Sequence, residues 1–271
     1  MATIKNPNAI LNGYEIEFPT KGYIRSNFNI DISNADENAL GSPSFLPKPK
    51  SGTTFSKILD LVGFDVPVLV KSPCPESKGT VVILGQDALR DPKDPLLNGI
   101  NTNTDIVVGL PYAIAFDRNY KQVAVYHTLI KNILESSYDV YLTDIWKSWT
   151  KGSQVKKDKW IDDNPYKDCL DKEFGDLQID YIVLMGGVAL KKYQTISHSN
   201  NIIDIPVTHL SPMANGKWKV ILEDKTITEH NKIEHIREEC KKQGLVFFIH
   251  YYIGKTEVEQ INKDNYATRI K

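Results

Sequence analysis

Three short segments carry residue types suited to chemistry, and each follows an apolar run. Gly85-Gln86-Asp87 follows residues 80–84, Gly186-Gly187 follows 179–184, and His209-Leu210-Ser211-Pro212-Met213 follows 202–207. Asp87 offers a carboxylate, which can stabilise positive charge as it develops. His209 offers a hydrogen-bond donor, which can stabilise negative charge on a leaving group. Preorganised groups of this kind are commonly the largest single catalytic contribution, about 3–4 kcal/mol for one donor. Taken singly, each has an ordinary structural reading. An aspartate after a strand caps the following turn, and a histidine there is a hydrogen-bonded structural residue. The Gly-Gly turn packs the start of a helix, with a phosphate contact at the helix N-terminus as its functional alternative.

The elements that must position these residues are legible as runs and periodicities. Continuous apolar blocks predict strands over 66–70, 80–84, 106–108, 140–142, 179–184, 202–207 and 245–249. Apolar spacing near 3.6 predicts helices over 55–62, stopped by Gly63, and over 123–134, 187–193 and 228–242. Short buried strands alternating with helices predict an α/β fold of three α/β/α layers on a mostly parallel central sheet. Ligands in such folds gather just beyond the C-terminal ends of the strands. Residues 1–52, rich in Asn, Ser, Gly and Pro, are expected to form an extended N-terminal arm packed on the core, and residues 53–271 a single α/β domain. The polar stretch 147–172 reads as a long loop with room for a short helix.

In this order and spacing, the segments resemble the uracil-DNA glycosylase superfamily over about half of the chain. Ile83-Leu84-Gly85-Gln86-Asp87 is similar to the water-activating Gly-Gln-Asp-Pro-Tyr motif, and His209-Leu210-Ser211-Pro212-Met213 to the His-Pro-Ser-Pro-Leu loop. Leu184-Met185-Gly186-Gly187-Val188 looks like the strand-glycine-helix between them. The resemblance implies a glycosylase-like fold and hydrolysis of the N-glycosidic bond of a deaminated or damaged DNA base. Scission of that bond builds positive charge on the sugar and negative charge on the base, which suits a carboxylate and a donor. It implies that Asp87 orients water or stabilises the sugar cation, that Gln86 holds the base, and that His209 donates to its carbonyl oxygen. Ser211 would contact a DNA phosphate, and Met213 would fill the gap left by the flipped nucleotide; a DNA phosphate is also what the Gly186-Gly187 helix start would hold under its functional reading. Either Tyr112 or Phe116 would stack on the base.

The chain departs from the family at several positions. Ala88-Leu89 stands where the family has Pro-Tyr, so the tyrosine that excludes thymine's methyl group is absent; Leu210 replaces a proline. The segment 90–104 reads as an inserted loop. The family's base-reading asparagine falls on Val140-Tyr141-Leu142-Thr143-Asp144, which offers Asp144, or Thr143 if the register shifts by one. These departures, with the near-neutral charge, define the alternative: a glycosylase-fold protein that binds DNA or a nucleotide without cleavage.

Composition narrows the classes further. Of 271 residues, 41% are hydrophobic and 25% charged, the usage of a globular domain rather than a disordered chain. Basic and acidic residues number 33 and 34, so any DNA partner is held weakly through a local patch. Lys151, Lys156, Lys157 and Lys159, with Trp149 and Trp160, offer such a strip; interleaved Asp158, Asp162 and Asp163 give it an alternative reading as a solvated loop. No apolar run approaches the roughly 18 residues of a membrane span. Cys74, Cys169 and Cys240 match neither a disulfide framework, a metal motif nor the cluster-binding cysteines of some glycosylases. No cofactor or metal is expected, and the beginning of the chain lacks the layout of a signal peptide, so the expected location is cytoplasmic.

Overall fold

One of the two eight-residue strands in the computed structural model is covered along its whole length. All eight residues of Asp139–Trp146 are buried. The structure describes residues 2–3, 14–18, 44–47, 61–87, 105–113, 123–150, 165–175, 177–196 and 202–207, and positions 209, 219, 225, 226, 228 and 231. The strands are β1 (Ala2–Thr3), β2 (Ile16–Phe18), β3 (Ser44–Pro47), β4 (Leu61–Asp65), β5 (Val68–Val70), β6 (Thr80–Asp87), β7 (Asp105–Gly109), β8 (Asp139–Trp146), β9 (Ser148–Thr150), β10 (Ile179–Met185) and β11 (Ile203–Val207). The helices are α1 (Val123–Glu135), α2 (Pro165–Gly175) and α3 (Gly186–Tyr193), and a 3-10 turn spans Pro111–Ala113.

Seven strands form one sheet in the order β1-β2-β5-β8-β6-β10-β11. Strands β8, β6, β10 and β11 run parallel, whereas β5, β2 and β1 add antiparallel strands beyond β8. The sheet is therefore mixed, which corrects the expectation of a mostly parallel one. The reason lies in the link 71–79. Parallel neighbours need a crossover of a dozen or more residues, and this short segment carries no helix, so β5 must run against β8 and β6. The first residues of the chain also enter the sheets as strands: β2 pairs with β5, and β3 pairs with β7.

A second sheet has the order β3-β7-β4-β9. Two chain segments run through both sheets. Only Val66-Pro67 separates β4 from β5, and only Lys147 separates β8 from β9. Pro67 has no backbone donor and breaks the ladder there. The seam is closed by Asp65 N–H donating to Lys147 C=O at 2.8 Å and Val66 N–H to Gly109 C=O at 3.0 Å. Strand β4 overturns part of the expected helix over 55–62: Leu61 and Val62 are extended, and Gly63 pairs with Val107 and Trp149 inside the strand.

Helices flank the large sheet on both faces. Helix α1 turns Leu129, Ile130, Ile133 and Leu134 inward, each at most 3% exposed. On the other face Glu173 of α2 meets β8, and Phe174 packs edge-on to Tyr193 of α3 at 6.3 Å. Between the layers Val81, Val82, Ile83 and Leu84 of β6 are at most 1% exposed. Full burial of such side chains stabilises by about 1.5–3 kcal/mol each.

Strand β8 also buries three polar residues, and a polar group in such a place needs partners. Asp139, at its start, accepts from Lys71 Nζ at 2.7 Å and from Ser72 N–H at 2.8 Å. Thr143 and Asp144, near its end, face opposite sides of the sheet. Among the described residues no helix is long and apolar enough to cross a membrane.

Candidate functional site

The four parallel strands end on one edge of the sheet, where Gly85, Asp144, Tyr112, Tyr126, His209 and Gly186 meet. The register pairs Gly85 of β6 with Asp144 of β8 and carries on to pair Asp87 with Trp146. Gly85, Gln86 and Asp87 are thus the last residues of β6, not the start of a turn. The ladder to β8 holds them extended.

Gly85 is glycine because two groups occupy the space above it. A Cβ built there would collide with Asp144 Oδ1 and would lie 2.7 Å from the Tyr112 hydroxyl. Asp144 is 5% exposed. Tyr112 reaches this position from the 3-10 turn with φ 56° and ψ 21°, the left-handed region. A bulky residue there costs roughly 1–3 kcal/mol and persists only where its surroundings enforce it, a pattern common at functional sites. Burial pushes the Tyr112 phenol well above its ordinary 10.0, reinforced by the nearby Asp144 carboxylate and then by Tyr126. At neutral pH the hydroxyl keeps its proton and can donate.

The chain of rings continues to His209. Tyr112 and Tyr126 lie 5.2 Å apart between centroids, and Tyr126 meets the His209 ring edge-on at 6.1 Å. The Tyr126 hydroxyl is 3.4 Å from His209 Nδ1, at the long end for a hydrogen bond. When that hydroxyl donates to Nδ1, the neutral ring carries its proton on Nε2 and presents a donor there. His209 follows β11 and packs on Gly186, where an added Cβ would lie 3.3 Å from His209 Cβ. Gly186 also has φ +86°, which a side chain rarely adopts. This one residue turns β10 directly into α3 and leaves room for the histidine. Gly187 and Val188 are exposed at the start of α3.

The opposite face carries a buried ionic cluster. Lys147 Nζ lies 2.8 Å from Glu173 Oε1, with both side chains at most 1% exposed. The Thr143 hydroxyl donates to Glu173 Oε2 at 2.9 Å and accepts from Lys147 Nζ. Tyr141 completes the cluster, its hydroxyl 3.4 Å from Glu173 Oε2. Strand alternation therefore assigns Thr143 to α2 and leaves Asp144 on the side of Tyr112.

Of the residues singled out in the sequence, Tyr112, Asp144, Gly186 and His209 come together on this edge. Gln86 is half-buried at the end of β6, and alternation gives it the face opposite Gly85. The side chain of Asp87, and all of Phe116, Ser211 and Met213, lie outside the described residues, as do Lys156 and Lys157. Tyr126 and the Lys147–Glu173 pair do not stand out in the sequence as site residues. Tyr126 has a signal there, since it heads the apolar stripe of α1 with a polar tip. Among the described residues no group of three or more His, Cys, Asp or Glu could hold a metal ion. Compared with models of known protein families and with curated proteins, the sequence matches no family model and no curated protein.

Proposed function

We propose that the protein is a DNA base-excision glycosylase-like hydrolase. The observation that supports this reading is the meeting of Asp144, Tyr112, Tyr126 and His209 on one edge, beside the end of β6 that carries Asp87. In the proposed reaction a water oxygen bonds to the sugar C1′. The bond from C1′ to the base nitrogen breaks, and its electron pair leaves with the base. The water gives up its proton to solvent.

Asp87 stabilises the sugar cation and orients the water. His209 donates to the departing base. A base inside a duplex is out of reach, so the nucleotide is flipped into the site. The Tyr112 ring already packs on Tyr126, so Tyr112 contributes its hydroxyl, and stacking on the base falls to Phe116. Gln86, whose side chain takes the other face, supports the base through its backbone. Ser211, Gly186 and Gly187 meet phosphates, and Met213 fills the vacated gap.

The test is a gel assay for alkali-labile sites on oligonucleotides carrying uracil, hypoxanthine, xanthine or a thymine mismatch. Protein-dependent cleavage at one lesion supports the reading. Tight binding with every strand left intact overturns it in favour of a protein that holds DNA without cutting.

A further inference from the structure

A histidine donates from only one ring nitrogen when neutral, and the partner of the other nitrogen decides which. Tyr126, in the first turns of α1, stands against His209 Nδ1. Its hydroxyl lies 3.4 Å from that nitrogen, and the two rings meet edge-on with their planes 75° apart. Two further contacts fix the arrangement. The Tyr112 ring packs against Tyr126 at 5.2 Å, and the bare Cα of Gly186 lets the histidine sit where an added Cβ would lie 3.3 Å from His209 Cβ. The imidazole is thus placed by α1 and by the turn from β10 into α3.

The chemistry of the pair sets the direction of the bond. A phenol O–H titrates near 10 and is a better donor than the N–H of a neutral imidazole. The unprotonated imidazole nitrogen is in turn a better acceptor than a phenol oxygen. The favoured bond therefore runs from Tyr126 to Nδ1. Nδ1 and Nε2 are separated by one ring carbon, so the nitrogen left with the proton points away from Tyr126. The 3.4 Å separation is that of a free site, where catalytic hydrogen bonds are often long and tighten once substrate is bound.

We infer that Tyr126 is a positioning residue for His209: its hydroxyl donates to Nδ1, fixes the ring proton on Nε2, and leaves that donor for the departing base. The last step rests on the glycosylase reading above, whereas the bond and the tautomer do not. Tyr126 touches no reacting atom and acts through the histidine.

The test is nitrogen-15 NMR of the full chain, at a pH above the titration of its histidine rings. The chain has six histidines, and the signals lost in His209→Gln identify the ring in question. Wild type should show His209 as the Nε2–H tautomer. Tyr126→Phe keeps the ring contacts and removes only the donor, so both tautomers should appear. On whichever lesion oligonucleotide wild type cleaves, Tyr126→Phe should slow base release roughly two- to tenfold, the scale of one neutral hydrogen bond, at unchanged oligonucleotide affinity. An Nδ1–H tautomer in wild type overturns the inference, and this spectrum decides the bond's direction even if the variant fails to fold. A tautomer unaltered in Tyr126→Phe, or release at full speed once it has changed, overturns the positioning role. No release by wild type from any lesion, with the predicted tautomers in both proteins, removes the glycosylase reading and keeps the Tyr126 bond. Release together with an Nδ1–H ring keeps the glycosylase reading and removes the bond.

Discussion

Thr143 and Asp144 are neighbours on β8 and serve opposite faces of the sheet. Thr143 bonds to Glu173 under α2, and Asp144 reaches over Gly85 to the side of Tyr112. One strand thus carries a structural polar cluster on one side and the candidate site on the other. The two sides can be tested separately.

The cluster side should fail when half of its ion pair is removed. Glu173→Ala leaves Lys147 buried without its carboxylate. Breaking a buried pair in this way typically costs about 3–5 kcal/mol, whereas replacing both partners with apolar residues is often neutral. Urea unfolding should show Glu173→Ala strongly destabilised and Lys147→Met/Glu173→Leu close to wild type. Equal losses in both proteins would mean that the cluster is valued for its shape and not its charge balance.

Glycine at position 85 should be irreplaceable for binding. Gly85→Ala places a methyl group against Asp144 and Tyr112. Overpacking of this sort costs about 1–3 kcal/mol, and it should also disperse the two polar groups and lose base binding. Gly186→Ala strains a left-handed residue, at about 1–2 kcal/mol, and presses on His209. A Gly85→Ala protein with full base affinity would show that the two side chains do not act from this notch.

Tyr112 should leave a mark on stability at high pH. Its phenol is raised above 10.0 first by burial, then by Asp144. Above about pH 10 the unfolded chain gives up this proton while the native state keeps it. The unfolded state then binds fewer protons, so stability falls as pH rises. The contribution is complete below about pH 10 and is lost as pH climbs through the native value. Tyr14 and Tyr138 are raised as well, so Tyr112→Phe should flatten the decline only in part. Identical declines in the two proteins, measured by urea unfolding across pH 9 to 11, would place Tyr112 in water.

Much of this edge is legible in the sequence, and the omissions have physical causes. Helix α1 is readable because Leu129, Ile130, Ile133 and Leu134 repeat at the helical period and are all buried. The ends of β6 and β8 are not. Hydropathy stops at Leu84 and Leu142, while the backbone ladder continues to Asp87 and Trp146. Periodicity reports side-chain burial and is silent on ladder bonds. The apolar residues at 55, 58, 59 and 62 fit a helix on spacing alone, but Leu61 and Val62 are held extended between β7 and β9. Lys147 reads as the start of a polar loop, since its partner Glu173 lies 26 residues away in sequence. The sequence leaves Asp144 and Thr143 as alternatives, and only the strand's registration with β6 separates the two.

His209 and Asp87 should be separable from the fold. His209→Gln and Asp87→Asn, both close in shape to the original residue, should each change the free energy of unfolding by no more than about 1 kcal/mol, the centre of the usual range for point substitutions. Each should lower base release by roughly 10²–10³-fold, the scale of losing one preorganised group. Full turnover in both variants would remove them from the chemistry.

The most direct measurement is chromatographic detection of free base after incubation with lesion-bearing oligonucleotides, wild type beside His209→Gln. The account predicts one free base for each new abasic site, with release greatly slowed in the variant. No free base from any lesion in the panel, at protein in excess over DNA, would contradict it.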